Sequence, residues 1–101
     1  MLLSPAFNTG LPMNLATFED ALKRDGFQEI VTAGFGVGHD LGDHAHPYGL
    51  RAMVIDGEFR ITVDGTETVY RPGEIFALAS GVRHTERTGP EGVKSLIGRK
   101  R

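Results

Sequence analysis

Residues 58–78, EFRITVDGTETVYRPGEIFAL, read as strand, tight turn, strand, second turn and strand. Phe59, Ile61 and Val63 fall on one side of an extended chain, with Arg60 and Thr62 on the other, which is the two-residue period of a half-buried strand. Asp64-Gly65 is a two-residue hairpin signal, because the favoured hairpin turns need left-handed backbone that Asp and Gly tolerate. Thr66 to Tyr70 then returns, Arg71-Pro72-Gly73 turns again, and Glu74 to Leu78 is the next strand. Working outward, Glu29 to Phe35, Leu50 to Asp56, His84 to Thr88 and Val93 to Ile97 have the same character, and Ser80-Gly81 marks another turn. Many short strands separated by Gly and Pro predict an all-β barrel or sandwich. The fourteen glycines suit that reading.

The remaining sequence predicts one domain, 1–101, in three parts. Residues 1–13, with Pro5, Gly10 and Pro12, form an irregular arm; 14–26 form a helix; 27–98 form the barrel. Thr17 is expected to cap the helix, Glu19 and Asp20 to sit in its first turn, Lys23 and Arg24 in its last, and Gly26 to end it. Its apolar stripe of Leu15, Phe18, Ala21 and Leu22 is thin, so the helix should lie on a larger body. The segment from Leu50 to Asp56 is apolar on both faces. If Ala52 and Val54 face the lumen, Met53 and Ile55 need a cover, and a homodimer would provide it.

Composition excludes several functions. With 40% hydrophobic and 24% charged residues the chain should fold, and 101 residues leave room for one core and one site. A net charge of −2 with dispersed basic residues argues against nucleic acid or an anionic membrane as partner. The basic tail Gly98-Arg99-Lys100-Arg101 reads as a solvated terminus. The chain has no cysteine, so any metal must be held by nitrogen and oxygen. With no basic-then-apolar leader and no bilayer-length apolar run, the expected location is the cytoplasm.

Three of the four histidines are spaced as metal ligands would be. His44 and His46 are two apart, so on an extended strand both imidazoles leave the same face. His84 opens a later strand that a barrel could bring opposite. Imidazole is the commonest transition-metal ligand, yet this spacing alone is also compatible with coincidence.

The segment from Gly38 to Thr88 resembles the two signature motifs of the cupin superfamily. The first motif has a glycine, five residues, His-x-His, a glutamate and a glycine; here these are Gly38, His44, His46, Leu50 and Gly57. The second has a glycine, a proline, a glycine, a third histidine and an asparagine; here these are Gly73, Ala79, Gly81, His84 and Thr88. The resemblance implies an antiparallel jelly-roll (cupin) barrel with a short N-terminal α-helix. It also implies a divalent transition metal (Fe, Mn, Zn, Ni or Cu) on His44, His46 and His84. The motif glutamate is replaced by Leu50, which cannot coordinate. Three-histidine sites occur in the superfamily, for example in thiol dioxygenases, and a site of three neutral ligands would favour an anionic ligand.

Glu86 would share the side of His84 on an extended strand and is the best replacement acid; the alternative expectation is a rim glutamate paired with Arg87 or Arg83. Asp43 should face outward. His39 is expected on the surface or in a loop unless a bulge at Gly42 shifts its phase. Tyr48 either closes the pocket mouth or packs on the turn after Pro47, and Arg51 either binds a substrate carboxylate or is a solvated strand arginine. The only proton-transfer groups in reach are Glu86 and Tyr48. Three functions remain: a metal-dependent oxygenase or isomerase acting on a small anionic or polar molecule, a non-catalytic binding or sensing module, or a scaffold whose site stays unoccupied.

Overall fold

The computed structural model describes residues 14–101; the expected arm over 1–13 lies outside the described residues. The elements are α1 (Leu15–Arg24), β1 (Glu29–Phe35), β2 (Asp40–His44), β3 (Gly49–Val63), β4 (Thr66–Tyr70), β5 (Ile75–Leu78) and β6 (His84–Lys100). The strands form one antiparallel six-stranded sheet folded over as a jelly roll, the predicted all-β class.

Residues 50–56 and 58–64 read as two strands, as did 84–88 and 93–97. Each pair is instead one long strand. Register shifts between Val54 and Asp56 and between Gly57 and Phe59 bend β3 without ending its ladder to β6, as β-bulges do. The first half of β3 pairs with β5 and with the second half of β6, which also pairs with β1. Beyond the bend, β3 pairs with β4 and with the first half of β6, which also carries β2.

Two glycines set the corner. Gly57 has φ 79° and a Cβ there would overlap the carbonyl oxygen of Gly92; Gly92 has φ 78° and its Cβ would stand 2.6 Å from the Phe35 carbonyl oxygen. The backbones of β3 and β6 therefore meet the end of β1 at a distance no side chain allows. Inside the fold, Leu50, Ala52, Val54, Phe59, Ile61, Phe76, Leu78 and Val93 form the main core, with Tyr48 packed at its edge.

The helix, Leu15–Arg24, lies within the expected 14–26, but its cap differs. Asn14 is the cap, its side-chain oxygen accepting the Thr17 backbone N–H at 2.8 Å, so Thr17 is a first-turn residue. Asn caps as well as Thr does. Glu19 and Asp20 consequently fall in the second turn, where Glu19 pairs with Lys23 at 3.7 Å. Phe18 and Leu22 are fully buried against Met53 and Leu96, with Phe27, Ile30 and Ile55 around them. Gly98 makes room, since a Cβ there would lie 2.9 Å from a Leu22 methyl. The outer face of Met53 and Ile55, the reason for expecting a homodimer, is thus covered by the chain's own helix. Arg51 is on this same face: it donates to Asp25 at 2.7 Å and lies 4.7 Å over the Phe27 ring. Of its two expected roles, these contacts fit a strand arginine on the outer face and not one that reaches into the barrel interior to bind a substrate carboxylate.

Gly57→Ala should cost about 3 kcal/mol or more, adding a clash to left-handed strain, while Gly65→Ala, with φ 77° and open space around it, should cost only about 1–2 kcal/mol. Urea unfolding of the two variants checks this, and equal midpoints would contradict it.

Candidate metal centre

The site is built where β2, β6 and the segment after β2 converge. His44 ends β2 and is the direct cross-strand partner of His84, the first residue of β6. A register shift between Leu41 and His44 supplies the anticipated bulge. It does not bring His39 in: the His39 ring stacks on Phe35 with centroids 4.0 Å apart. Asp43 faces outward and accepts two hydrogen bonds from Arg83, at 2.9 and 2.7 Å. His46 lies past the strand end, held by the Gly81 N–H donating to its carbonyl at 2.9 Å. The turn before β6 therefore fixes the second histidine as well as the third.

Glu86 completes the set. Along β6, His84 and Glu86 are buried at 1% and 7% exposure, while Arg87 is exposed and bound to Glu67 at 2.6 Å. The rim reading of Glu86 is thereby corrected, because both of its expected arginine partners are engaged elsewhere. One Glu86 oxygen, Oε2, stands 2.8 Å from His84 Nε2, 3.1 Å from His44 Nε2 and 3.6 Å from His46 Nε2. Four donor atoms, one from each residue, lie within 4.8 Å of one another.

The hydrogen bonds behind these atoms decide what they can do. His44 donates from Nδ1 to the Gly42 carbonyl at 2.6 Å, and His84 donates from Nδ1 to the Val82 carbonyl at 3.0 Å. Carbonyl oxygens only accept, so each ring carries its proton on Nδ1, and when neutral it turns the Nε2 lone pair inward. Lone pairs facing a carboxylate oxygen at these distances repel unless a cation, proton or metal, lies among them. Ligands at about 2.1 Å from one ion are roughly 3.0 Å apart at a right angle and roughly 3.4 Å apart at the tetrahedral angle. The spacings around Glu86 bracket those values, and the Nδ1-to-carbonyl bonds are the usual backing of metal-bound imidazoles. The residues fit a divalent transition ion.

Burial pushes the His46 pKa below its ordinary value near 6.5, and the neighbouring His84 adds to the effect against the opposing pull of Glu86. Neutral His46 is the form a metal needs.

Above the cluster is a cavity of about 70 Å³ lined by Phe35, His46, Tyr48, Leu50, Phe59, Phe76, Glu86, Ile97 and Arg99. Leu50, at the motif position of the carboxylate, is part of its apolar wall. Tyr48 stacks on His46 with centroids 4.9 Å apart and interplanar angle 20°, so it lies at the pocket and packs there too. Arg99 was read as tail and missed; its parity with Val93 and Ile97, both core-facing, was the available signal.

Fold and site together define a β-barrel whose lumen carries a cluster of three histidines and one glutamate that could hold a metal ion. The chain matches the cupin-domain family over residues 31–94, well over half its length, and it is a member of that family. An RmlC-like cupin from Shewanella frigidimarina superposes with TM-score 0.61 at 28% identity, covering 70% of this chain and 63% of that one. KdgF from Halomonas sp. gives TM-score 0.60 at 20% identity, covering 71% and 67%. The DMSP lyase DddQ from Ruegeria pomeroyi gives TM-score 0.64 at 20% identity, covering 71% of this chain and only 37% of that one. The chain thus spans about two thirds of the first two and just over a third of the lyase. Curated proteins yield no match.

Zinc should raise the melting temperature of the wild type and of His39→Ala and leave that of His84→Ala unmoved, as a ligand of the native state does by mass action. Equal stabilisation of all three would remove His84 from the ligand set. In metal-free protein the unfolded chain binds the His46 proton more readily than the folded one, so stability is complete above about pH 6.5 and falls as pH drops through that value. Thermal scans between pH 7.5 and 5 should show that fall, and a smaller one in His46→Asn.

Proposed function

We propose that this cupin is a metal-dependent protein acting on a small polar or anionic molecule, with an oxygenase or isomerase as the reaction classes that the site suits. The observation that supports it most is the convergence of three imidazole nitrogens on the buried Glu86 carboxylate at the edge of an apolar-walled cavity. His44, His46, His84 and Glu86 would hold the ion, which would supply Lewis-acid or redox chemistry. Three neutral imidazoles and one carboxylate leave a divalent ion with one net positive charge, so a negative ligand is still favoured at its open positions. Nitrogen-rich sites of this kind accept iron, manganese, zinc, nickel or copper.

The chain's own residues contribute the rest. Phe35, Leu50, Phe59, Phe76 and Ile97 give the cavity apolar walls, which lower the local dielectric and so strengthen any electrostatic contact made inside it. With Glu86 turned to the histidines, Tyr48 is the remaining proton-transfer group beside the pocket. That scarcity favours a second reading, a binding or sensing module in which the same pocket retains its ligand unchanged. A DMSP lyase among the fold's neighbours is in keeping with a catalytic use of this barrel, although one barrel hosts many activities.

Elemental analysis of protein purified without a tag or chelator tests the proposal. Near one equivalent of a transition metal is expected in the wild type and less than a tenth of that in His44→Ala. A wild type that neither carries metal nor takes it up on titration would contradict the reading.

A further inference from the structure

Among the described residues, Arg99 is the one full positive charge in the lining of the cavity above the cluster, with the Arg101 guanidinium outside that lining, 5.8 Å from the centre of the Tyr48 ring. It sits on β6 opposite Leu50 and Glu29, two residues beyond Ile97 and on the same inward face. Its Nη1 donates to Glu29 Oε2 at 3.3 Å, a long bond to a half-exposed carboxylate. Its Nε is shielded from solvent and has no hydrogen-bond partner among the described residues. Buried polar groups are nearly always paired, so an orphaned guanidinium N–H beside a cavity is a group awaiting an acceptor. The guanidinium lies 5.5 Å from the centre of the Tyr48 ring, whose stacking on His46 ties it to the cluster.

We propose that Arg99 is the anion-recognising residue of this pocket and that the ligand is a small monocarboxylate, its carboxylate on Arg99 and its other end toward the histidine cluster. The inference rests on the pocket being a ligand site, as proposed above. Three features select the class. The Nε edge of a guanidinium is flat and matches a planar carboxylate with two parallel N–H···O bonds. The cavity, at about 70 Å³, admits a body of few heavy atoms. Its walls of Phe35, Phe59, Phe76 and Ile97 accept a short carbon chain and offer nothing to the further oxygens of a phosphate. Arg99 is a positioning and specificity residue here; no bond is made or broken at it.

The test follows the Arg99 Nε–H signal by proton–nitrogen NMR while acetate, pyruvate or acetoacetate is added, with pyruvamide as the uncharged control. Metal-free and zinc-loaded protein are measured side by side. At least one carboxylate should shift the signal to saturation and pyruvamide should not; followed by backbone amide shifts, since the variants lack that Nε–H, Arg99→Gln should weaken binding at least tenfold while zinc uptake is unchanged. Arg99→Lys, which keeps the charge and loses the planar fork, should bind with intermediate affinity. No shift with any of the three acids, or equal binding by Arg99→Gln, would overturn the proposal. Protein that takes up no zinc contradicts the metal reading instead, and the metal-free titration then decides for or against Arg99 by itself.

Discussion

One carboxylate oxygen faces three imidazole nitrogens in the lumen of this barrel, and much of the surrounding structure follows from holding them there. The Nε2 atoms of His44, His46 and His84 each stand within 3.6 Å of Glu86 Oε2. Neutral imidazoles in this arrangement point electron pairs at negative charge, so the array asks for a cation. The two carbonyls behind it, of Gly42 and Val82, fix the rings by accepting from their Nδ1 atoms. A buried carboxylate with only such neighbours is costly unless a positive charge compensates it, which is the condition a bound divalent ion meets.

The long strand β6 is what makes this geometry possible. It delivers His84 and Glu86 at one end and Arg99 at the other, and it pairs with β1, β2 and β3 on the way. Its crossing with β3 depends on Gly57 and Gly92, where two backbones approach at a distance that excludes side chains. The same bend turns inward-facing residues of both halves toward one lumen. Helix α1 then covers the outer face, seated over Gly98. The barrel accordingly needs no second copy to bury Met53 and Ile55.

Much of this was legible in sequence because the signals were local. Alternation at Phe59, Ile61 and Val63 and the Asp64-Gly65 turn give the β3–β4 hairpin in the register observed. The histidine spacing singled out the residues that the fold brings together. Glu86 was weighed against a rim position because sequence shows parity but not who pairs with whom: Arg83 goes to Asp43 and Arg87 to Glu67, across strands whose register is a tertiary fact. Arg99 was missed because it was read as part of the tail, although its parity with Val93 and Ile97 puts it on the inner face. Arg51, next to inward-facing Leu50, falls by the same alternation on the helix side.

The central claim is that Glu86 provides the carboxylate that Leu50 cannot. Calorimetric titration of zinc into metal-free wild type and Glu86→Gln measures it most directly. Replacing the anion by a neutral isostere should keep the fold and weaken zinc binding by about tenfold or more, as loss of a charged oxygen ligand from a divalent ion requires. Equal affinity in the two proteins would contradict the account and leave the site to three histidines.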